Sequence, residues 1–198
     1  MTKTTELHSP NLAPPGAGLP FIELWIVRLW FFRNAHRFDR AVCEKGFAAE
    51  RARIIELAHS VGPQKGRKQI LIKRLRGIED SSRFWSVFMT IEHLCIVNRG
   101  IIGIIQTLAA GGQPGKAVST AAVKPSPSAD VAIIDQFEIL CSDFEKQIST
   151  IKDLNTSLKW PHPWFGPLNA AEWHFMAGMH MRLHRHQIEK IIENLQDH

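Results

Sequence analysis

The sequence predicts an all-α protein, a four-helix bundle with long crossover connections and a helical insertion after the first helix. Two observations carry this prediction. Several long segments repeat apolar residues at every third or fourth position, the period of a helix packed on a core, and none alternates convincingly like a strand. The connections between these segments are long and no internal repeat relates them, which is typical of bundles with crossovers.

The chain has 198 residues, which is enough for one domain with a sizeable core. We predict a flexible arm over residues 1–20, where four prolines would break any helix, and a single domain over residues 21–198. The first helix is predicted at 21–40. It is so rich in Phe, Ile, Leu and Trp that we expect it to be mostly buried, and it is too often interrupted by charge to cross a bilayer.

Residues 41–79 form the predicted insertion, with a helical pattern over 41–61 that Gly62-Pro63 ends. Its apolar and basic alternation at 70–75 is too short to decide between a strand and a helical turn. The next long helix is predicted from residue 80, where Asp and Ser offer N-caps, to residue 109, where an Ala-Gly-Gly run ends it.

A surface connection rich in Gly, Ser and Pro follows at 113–128, and a further packing helix is predicted at 130–154. Residues 160–167 are rigid and aromatic because Pro alternates with Trp, His and Phe. The spacing of Asn169 and Glu172 is that of a capping box, which predicts where the last helix begins.

The last helix places histidines where a packed helix normally places leucines. At roughly 100° per residue, His180 and His184 lie about 40° apart on its apolar stripe and one turn apart along the axis, so their rings can converge on one point. The whole stripe reads Trp173, Ala177, His180, His184, Ile188, Ile191 and Leu195.

A third histidine, His93, lies on the apolar face of the predicted 80–109 helix. Buried imidazoles are costly unless their nitrogens find partners, and a shared metal ion satisfies one nitrogen of each ring. Three imidazoles plus an open coordination position form the ligand set of a catalytic zinc site, although imidazole also suits nickel, iron, copper and cobalt. For any one of these histidines alone, the alternative is a hydrogen-bonded core residue.

The remaining histidines and aromatic residues are assigned structural roles. We expect His162 to be a turn residue rather than a ligand, and four other histidines to lie on the surface: His36, His59, His174 and His186. Four tryptophans are expected in the core: Trp25, Trp30, Trp85 and Trp173. Cys95 lies about 200° around the helix from His93, so we expect it to pack rather than to bind the ion.

The net charge of +5 raises the question of nucleic-acid binding. Six cations and no acid lie between Gln64 and Arg76, but the segment lacks the interleaved aromatic residues that stack on bases. We therefore expect no nucleic-acid partner. The chain has three cysteines, which lie far apart and form no C-x-x-C pair, so we predict that they are reduced thiols. We therefore expect a cytoplasmic protein without a membrane partner.

Two motifs resemble the DinB/YfiT-like superfamily of metal-binding bundles. The first is His180-x-x-x-His184-Arg185-x-Gln187-Ile188, preceded by His162-Pro163-Trp164-Phe165-Gly166-Pro167-Leu168 and Trp173. The second, Arg83-Phe84-Trp85-Ser86 to Glu92-His93-Leu94, resembles that superfamily's second helix, which ends in the remaining ligand. The match covers most of residues 81–195.

The resemblance implies a DinB-type bundle with one divalent ion on His93, His180 and His184 and with open coordination positions. It also implies a homodimer and thiol transfer or hydrolysis on a small molecule, such as a low-molecular-weight thiol. The ion expected is zinc or nickel, with iron as an alternative. Arg185-His186-Gln187 departs from the family pattern, in which a small residue often precedes the glutamine, and this leaves the substrate open.

Four further residues are candidates for the surroundings of the ion. Gln187 lies one turn from His184 and can orient its ring, and Trp164 and Phe165 can line the pocket mouth. Glu92 is adjacent to His93 but points about 100° away, so it serves another ligand or solvent. Two functions remain open: a metalloenzyme, or a non-catalytic bundle whose ion is structural and which acts as a structural or interaction protein.

Overall fold

The computed structural model of the chain describes residues 10–115 and 119–196. Within these ranges the chain forms five α-helices and four short strands. The helices are α1 (Phe21–Ala35), α2 (Arg40–Gly66), α3 (Val87–Ala109), α4 (Ile133–Thr150) and α5 (Ala170–Gln196). The strands are β1 (Ile70–Leu71), β2 (Phe84–Trp85), β3 (Trp160–His162) and β4 (Gly166–Leu168).

Helices α2, α3, α4 and α5 form the bundle. Helix α5 packs against α2 and α3, and α4 packs against the same two helices from the other side. The four-helix bundle with long connections is therefore confirmed. The predicted insertion was wrong in one respect: its helix, α2, is a full member of the bundle, whereas α1 is the extra helix and packs mainly on α5.

The prediction that the first helix is mostly buried was wrong. Only Phe31 and Ala35 of α1 are buried, and six large apolar side chains face outward. Trp25 and Trp30 are 61% and 49% exposed, whereas Trp85 and Trp173 are buried as expected. A run of closely spaced apolar residues predicts that the helix has an apolar surface. It does not predict whether the protein's own core covers that surface.

Local sequence explains where the bundle helices begin and bend. Asp39 caps α2, because its carboxylate accepts a hydrogen bond from the backbone of Val42. Gly62, with φ of +67°, interrupts α2 at the predicted stop, and Pro63 begins one more helical stretch instead of ending the helix. Residues 70–75 contain the two-residue strand β1.

Helix α3 begins later than predicted. Residues Asp80–Ser82 form a 3-10 turn, and β2 then pairs antiparallel with β1. The N-cap of α3 is therefore Ser86, whose hydroxyl accepts a hydrogen bond from the backbone of Met89. His93 consequently lies near the start of α3. The family resemblance had implied that the helix ends at this ligand, and that expectation was wrong. The helix ends at the predicted Ala-Gly-Gly run, where Gly111 has φ of +76°.

The chain enters α5 through a small hairpin. Strands β3 and β4 pair antiparallel across the rigid 160–167 segment. The predicted capping box is confirmed: Asn169 Oδ1 accepts from the backbone of Glu172, and Glu172 Oε2 accepts from the backbone of Asn169, both at 2.8 Å. Helix α4 is shorter at both ends than the predicted 130–154.

Part of the N-terminal arm and part of the 113–128 connection, residues 1–9 and 116–118, lie outside the described residues. Residues 10–20 form neither helix nor strand. The backbone amides of Ala13 and Gly16 donate to the carboxylates of Asp80 and Glu79, which attaches this stretch to the turn before α3.

Within the described ranges, one helix is long and apolar enough to cross a membrane by length and composition alone. This is α3, and 67% of its apolar window is buried inside the protein, as in the core helix of a soluble protein. Cys95 packs in this core, as predicted, and Cys141 is also a buried free thiol.

Three of the four histidines predicted to lie on the surface do so, but His174 does not. It is 2% exposed, packs against Phe38 and Phe144, and its Nδ1 has no hydrogen-bond partner among the described residues. Burial lowers the pKa of His174 to about 4. His174 is buried because α5 contacts several elements, so that more than one face of this helix is covered.

His174 is expected to make the protein acid-sensitive. Between about pH 6.5 and pH 4 the unfolded chain binds a proton at this residue that the folded chain does not, so stability falls as the pH falls, by up to roughly 1.4 kcal/mol per pH unit. In His174→Leu, urea unfolding at several pH values should show a slope smaller by about one proton. An unchanged slope would show that His174 does not couple folding to protonation.

Candidate metal centre

The structure brings His93, His180 and His184 together between α3 and α5. His93 comes from the second turn of α3, and the other two lie one turn apart in the middle of α5. The Nε2 atoms of His93 and His180 are 3.3 Å apart, and one nitrogen from each of the three rings lies within 4.8 Å of the others. The three rings therefore converge on one point.

The protonation of His184 is fixed by a short relay. The carbonyl oxygen of Ser82 can only accept, so Gln187 must point its Nε2 towards it, at 2.7 Å. This orientation aims Gln187 Oε1 at His184 Nδ1, also at 2.7 Å, and that nitrogen must donate. A neutral ring that carries its proton on Nδ1 leaves the Nε2 lone pair free to bind a ligand.

His93 is fixed in the same way from a different element. Its Nδ1 donates to the backbone carbonyl of Val123 at 2.7 Å, in the connection between α3 and α4. Its Nε2 therefore also carries a lone pair. The Nδ1 of His180 is buried without a hydrogen-bond partner among the described residues, so this ring is held by packing and by its neighbours.

All three imidazoles are held neutral. Burial lowers the pKa of His93 to about 4, an effect that the Val123 carbonyl and the nearby charge of Glu79 partly offset. Burial and the neighbouring imidazoles lower the pKa of His180 and of His184 well below the usual range, with the Gln187 bond partly offsetting the shift for His184. Neutral imidazole is the form that binds metal ions.

These residues fit a divalent ion. A tetrahedral ion with zinc–nitrogen bonds of about 2.0–2.1 Å separates its donor nitrogens by about 3.3–3.4 Å. The Nε2 atoms of His93 and His180 are 3.3 Å apart, which agrees with this separation. A direct hydrogen bond between His93 and His180 would explain the short distance between those two rings only. It would not account for the third ring, because His184 Nε2 carries a lone pair as well.

The histidines line a cavity of about 100 Å³, which is room for several water molecules or part of a small molecule. Its walls come from the turn before α3, from residues 120–124 and from the hairpin before α5. Lys124 and Pro163 at its edge are exposed and His180 is partly exposed, so the cavity opens to solvent.

Sequence reasoning missed one carboxylate in this cavity. Glu79 lines the cavity and is 8% exposed. Its Oε2 accepts from the backbone of Gly16 and from the Ser81 hydroxyl, whereas its Oε1 is buried without a hydrogen-bond partner among the described residues. Glu79 lies in irregular chain between β1 and β2, where no periodicity indicates which way a side chain points.

The other predicted residues are placed as follows. Trp164 lines the cavity, but Phe165 does not: it is buried beneath it, stacked on Phe31 with ring centroids 4.2 Å apart. Glu92 accepts a hydrogen bond from the backbone of Ser126 and has no bond to any histidine within the described ranges. It therefore secures the connection that also holds His93 through Val123.

Two aromatic rings complete the surroundings of the triad. Trp85 lies 5.0 Å from His93 and 6.1 Å from His184 between ring centroids, which shields the rings on one side. His162 lines the cavity and takes the predicted turn role, because its Nδ1 accepts from the backbone of Trp164 and Phe165. Burial lowers the pKa of His162 to about 4, so it is neutral.

No protein-family model and no curated protein matches the sequence. Among solved structures, the crystal structure of TT2238, a four-helix bundle protein, is similar to this chain with a TM-score of 0.50. The match has 19% sequence identity and covers 76% of this chain and 98% of that chain. At this identity the likeness shows the fold alone, the four-helix bundle.

Replacing the amide that orients His184 should weaken metal binding. Gln187→Met keeps the side chain's length and burial but removes the acceptor for His184 Nδ1, so zinc affinity should fall on the order of 10–100-fold. Zinc titration of the metal-free protein against a competing chelator measures this. Gln106→Met, which removes a surface bond to Gln147, is the control. Equal affinities in both variants would contradict the relay.

Proposed function

We propose that the chain is a DinB-like metalloenzyme that holds one divalent ion on His93, His180 and His184. The ion is zinc or nickel, with iron as an alternative, and the reaction is hydrolysis or thiol transfer on a small molecule. The observation that carries this proposal is the convergence of three neutral imidazoles, two of them with Nε2 lone pairs fixed by hydrogen bonds, on a cavity open to solvent.

A divalent ion bound to these histidines would act as a Lewis acid, lowering the pKa of a bound water or holding a substrate thiol as thiolate. The protein supplies the rest of the site. Gln187 and Val123 keep two rings in the tautomer that binds metal. Trp85 covers one side of the triad, and Trp164 and Pro163 leave the other side accessible.

Glu79 is proposed as the proton acceptor of the site. Glu79 lines the cavity, and its Oε1 is shielded from solvent without a hydrogen-bond partner among the described residues, so this oxygen can take a proton from water or a thiol once it turns towards the cavity. Ser81 and Gly16 hold the other oxygen and so fix the carboxylate. Lys124, at the mouth, favours a substrate with an anionic end.

A cytoplasmic location belongs to the same proposal. The three cysteines are free in the structure, two of them buried, which agrees with a reducing compartment. The alternative, a non-catalytic bundle with a structural ion, predicts a site closed by protein ligands. The accessible cavity favours the enzyme.

Elemental analysis of the purified protein tests the ligand set. We expect about one equivalent of a transition metal in the wild type and its loss in His93→Ala, in His180→Ala and in His184→Ala. His186→Ala, an exposed histidine on the same helix, should retain the metal. A metal content that is insensitive to all three substitutions would remove the proposed centre.

Glu79→Gln should separate chemistry from metal binding. The amide oxygen can still accept the Gly16 and Ser81 bonds but cannot take up a proton, so the zinc-loaded variant should keep its metal. Its hydrolysis of 4-nitrophenyl acetate should be slower by roughly 10²–10⁴-fold. Glu145→Gln, at a carboxylate outside the cavity, is the control. Unchanged hydrolysis in Glu79→Gln would exclude the proton-acceptor role.

A further inference from the structure

Helix α1 carries an apolar face that the other described residues, 10–115 and 119–196, leave exposed. Its six members are between 49% and 83% exposed, and they are Phe21, Ile22, Trp25, Ile26, Leu29 and Trp30. They occupy one side of the helix, while Phe31 and Ala35 on the other side anchor it to the domain. Soluble monomers rarely expose a contiguous apolar surface of this size, so the face indicates an interaction site.

We infer that this face is where two copies of the chain associate, with α1 packed antiparallel against α1 of the second copy. The six residues form three adjacent pairs: 21/22, 25/26 and 29/30. Reversing the helix direction brings the first pair opposite the third and the middle pair opposite itself. Such self-complementarity is what a two-fold interface requires, because the same patch must serve both copies.

The resulting contact has three layers, and each is apolar. Phe21 and Ile22 of one copy meet Leu29 and Trp30 of the other at both ends, so each end layer combines two aromatic and two aliphatic side chains. Two copies of Trp25 and Ile26 form the middle layer on the two-fold axis. Aromatic residues contribute most to such interfaces because they bury large areas at low entropic cost.

The size of the face also fits a second copy. Covering the exposed parts of six large side chains removes on the order of 700 Å² from water per copy, close to the roughly 800 Å² per partner of a standard interface. No charged side chain of the described residues lies within the face. The charged residues within the span, Glu23 and Arg28, lie at the edges of the face and bind within their own chain, to Arg74 and to the Trp164 carbonyl.

The same edge contacts connect the face to the cavity walls. Glu23 accepts from the backbone of Gly77 at 2.6 Å, and Arg28 donates to the backbone of Trp164. Gly77 and Trp164 both line the histidine cavity. Association through α1 would therefore brace two walls of that cavity. The inference does not require a bound ion, so it stands or falls independently of the proposed function.

Sedimentation velocity on the full chain tests the interface. The wild type should sediment as a dimer, and Ile26→Glu should weaken association by roughly 30-fold or more, because it places two carboxylates beside each other at the two-fold axis. Ile139→Glu, at a 63% exposed side chain on α4, is the matched control and should remain dimeric. Thermal unfolding followed by circular dichroism shows that each exposed-site variant is folded.

Cross-linking tests the antiparallel register. Cys43 is the one partly exposed cysteine, so single cysteines are introduced in a Cys43→Ser background and joined with a short bismaleimide. A mixture of Ile22→Cys and Leu29→Cys proteins should form more heterodimers than either protein forms homodimers. The opposite preference would overturn the antiparallel arrangement.

A monomeric wild type, or a dimer that survives Ile26→Glu, would overturn the inference. A lipid surface is the competing occupant of an apolar helix face. Flotation with vesicles of phosphatidylcholine and phosphatidylserine distinguishes the two. Vesicle binding by a monomeric wild type that Ile26→Glu abolishes would assign the face to a membrane surface instead.

Discussion

The candidate site depends on two hydrogen-bond relays that begin at backbone carbonyls. Ser82 orients Gln187, which fixes the proton of His184 on Nδ1, and Val123 fixes the proton of His93 in the same way. Because a backbone carbonyl only accepts, neither relay can reverse, and both leave Nε2 lone pairs pointing to one place. The connections on either side of α3 thus orient two of the histidine rings that meet between α3 and α5.

This dependence explains why the long connections are ordered around the site. The turn before α3 supplies Ser82 and Glu79, and the stretch after α3 supplies Val123 and is itself secured by the bond between Ser126 and Glu92. A bundle with tight loops would have no chain to place at these positions. The bundle supplies rigid helices, while the irregular connections supply the orientation and the cavity.

The sequence predicted the parts of the site that follow helical geometry. His180, His184 and Gln187 share one helix, so their spacing indicates their relation, and the apolar face around His93 shows that it turns inward. Glu79 could not be found this way, because its position depends on the pairing of β1 with β2. The exposure of α1 was also missed, since an apolar pattern is the same whether a core or another molecule covers it.

X-ray absorption at the metal edge of the purified protein tests the central claim most directly. We expect a spectrum dominated by nitrogen and oxygen neighbours at about 2.0–2.1 Å with the multiple-scattering signature of three imidazoles, and no such signal in His180→Ala, which should lose the metal. A spectrum without imidazole scattering, or one that His180→Ala leaves unchanged, would contradict the three-histidine centre.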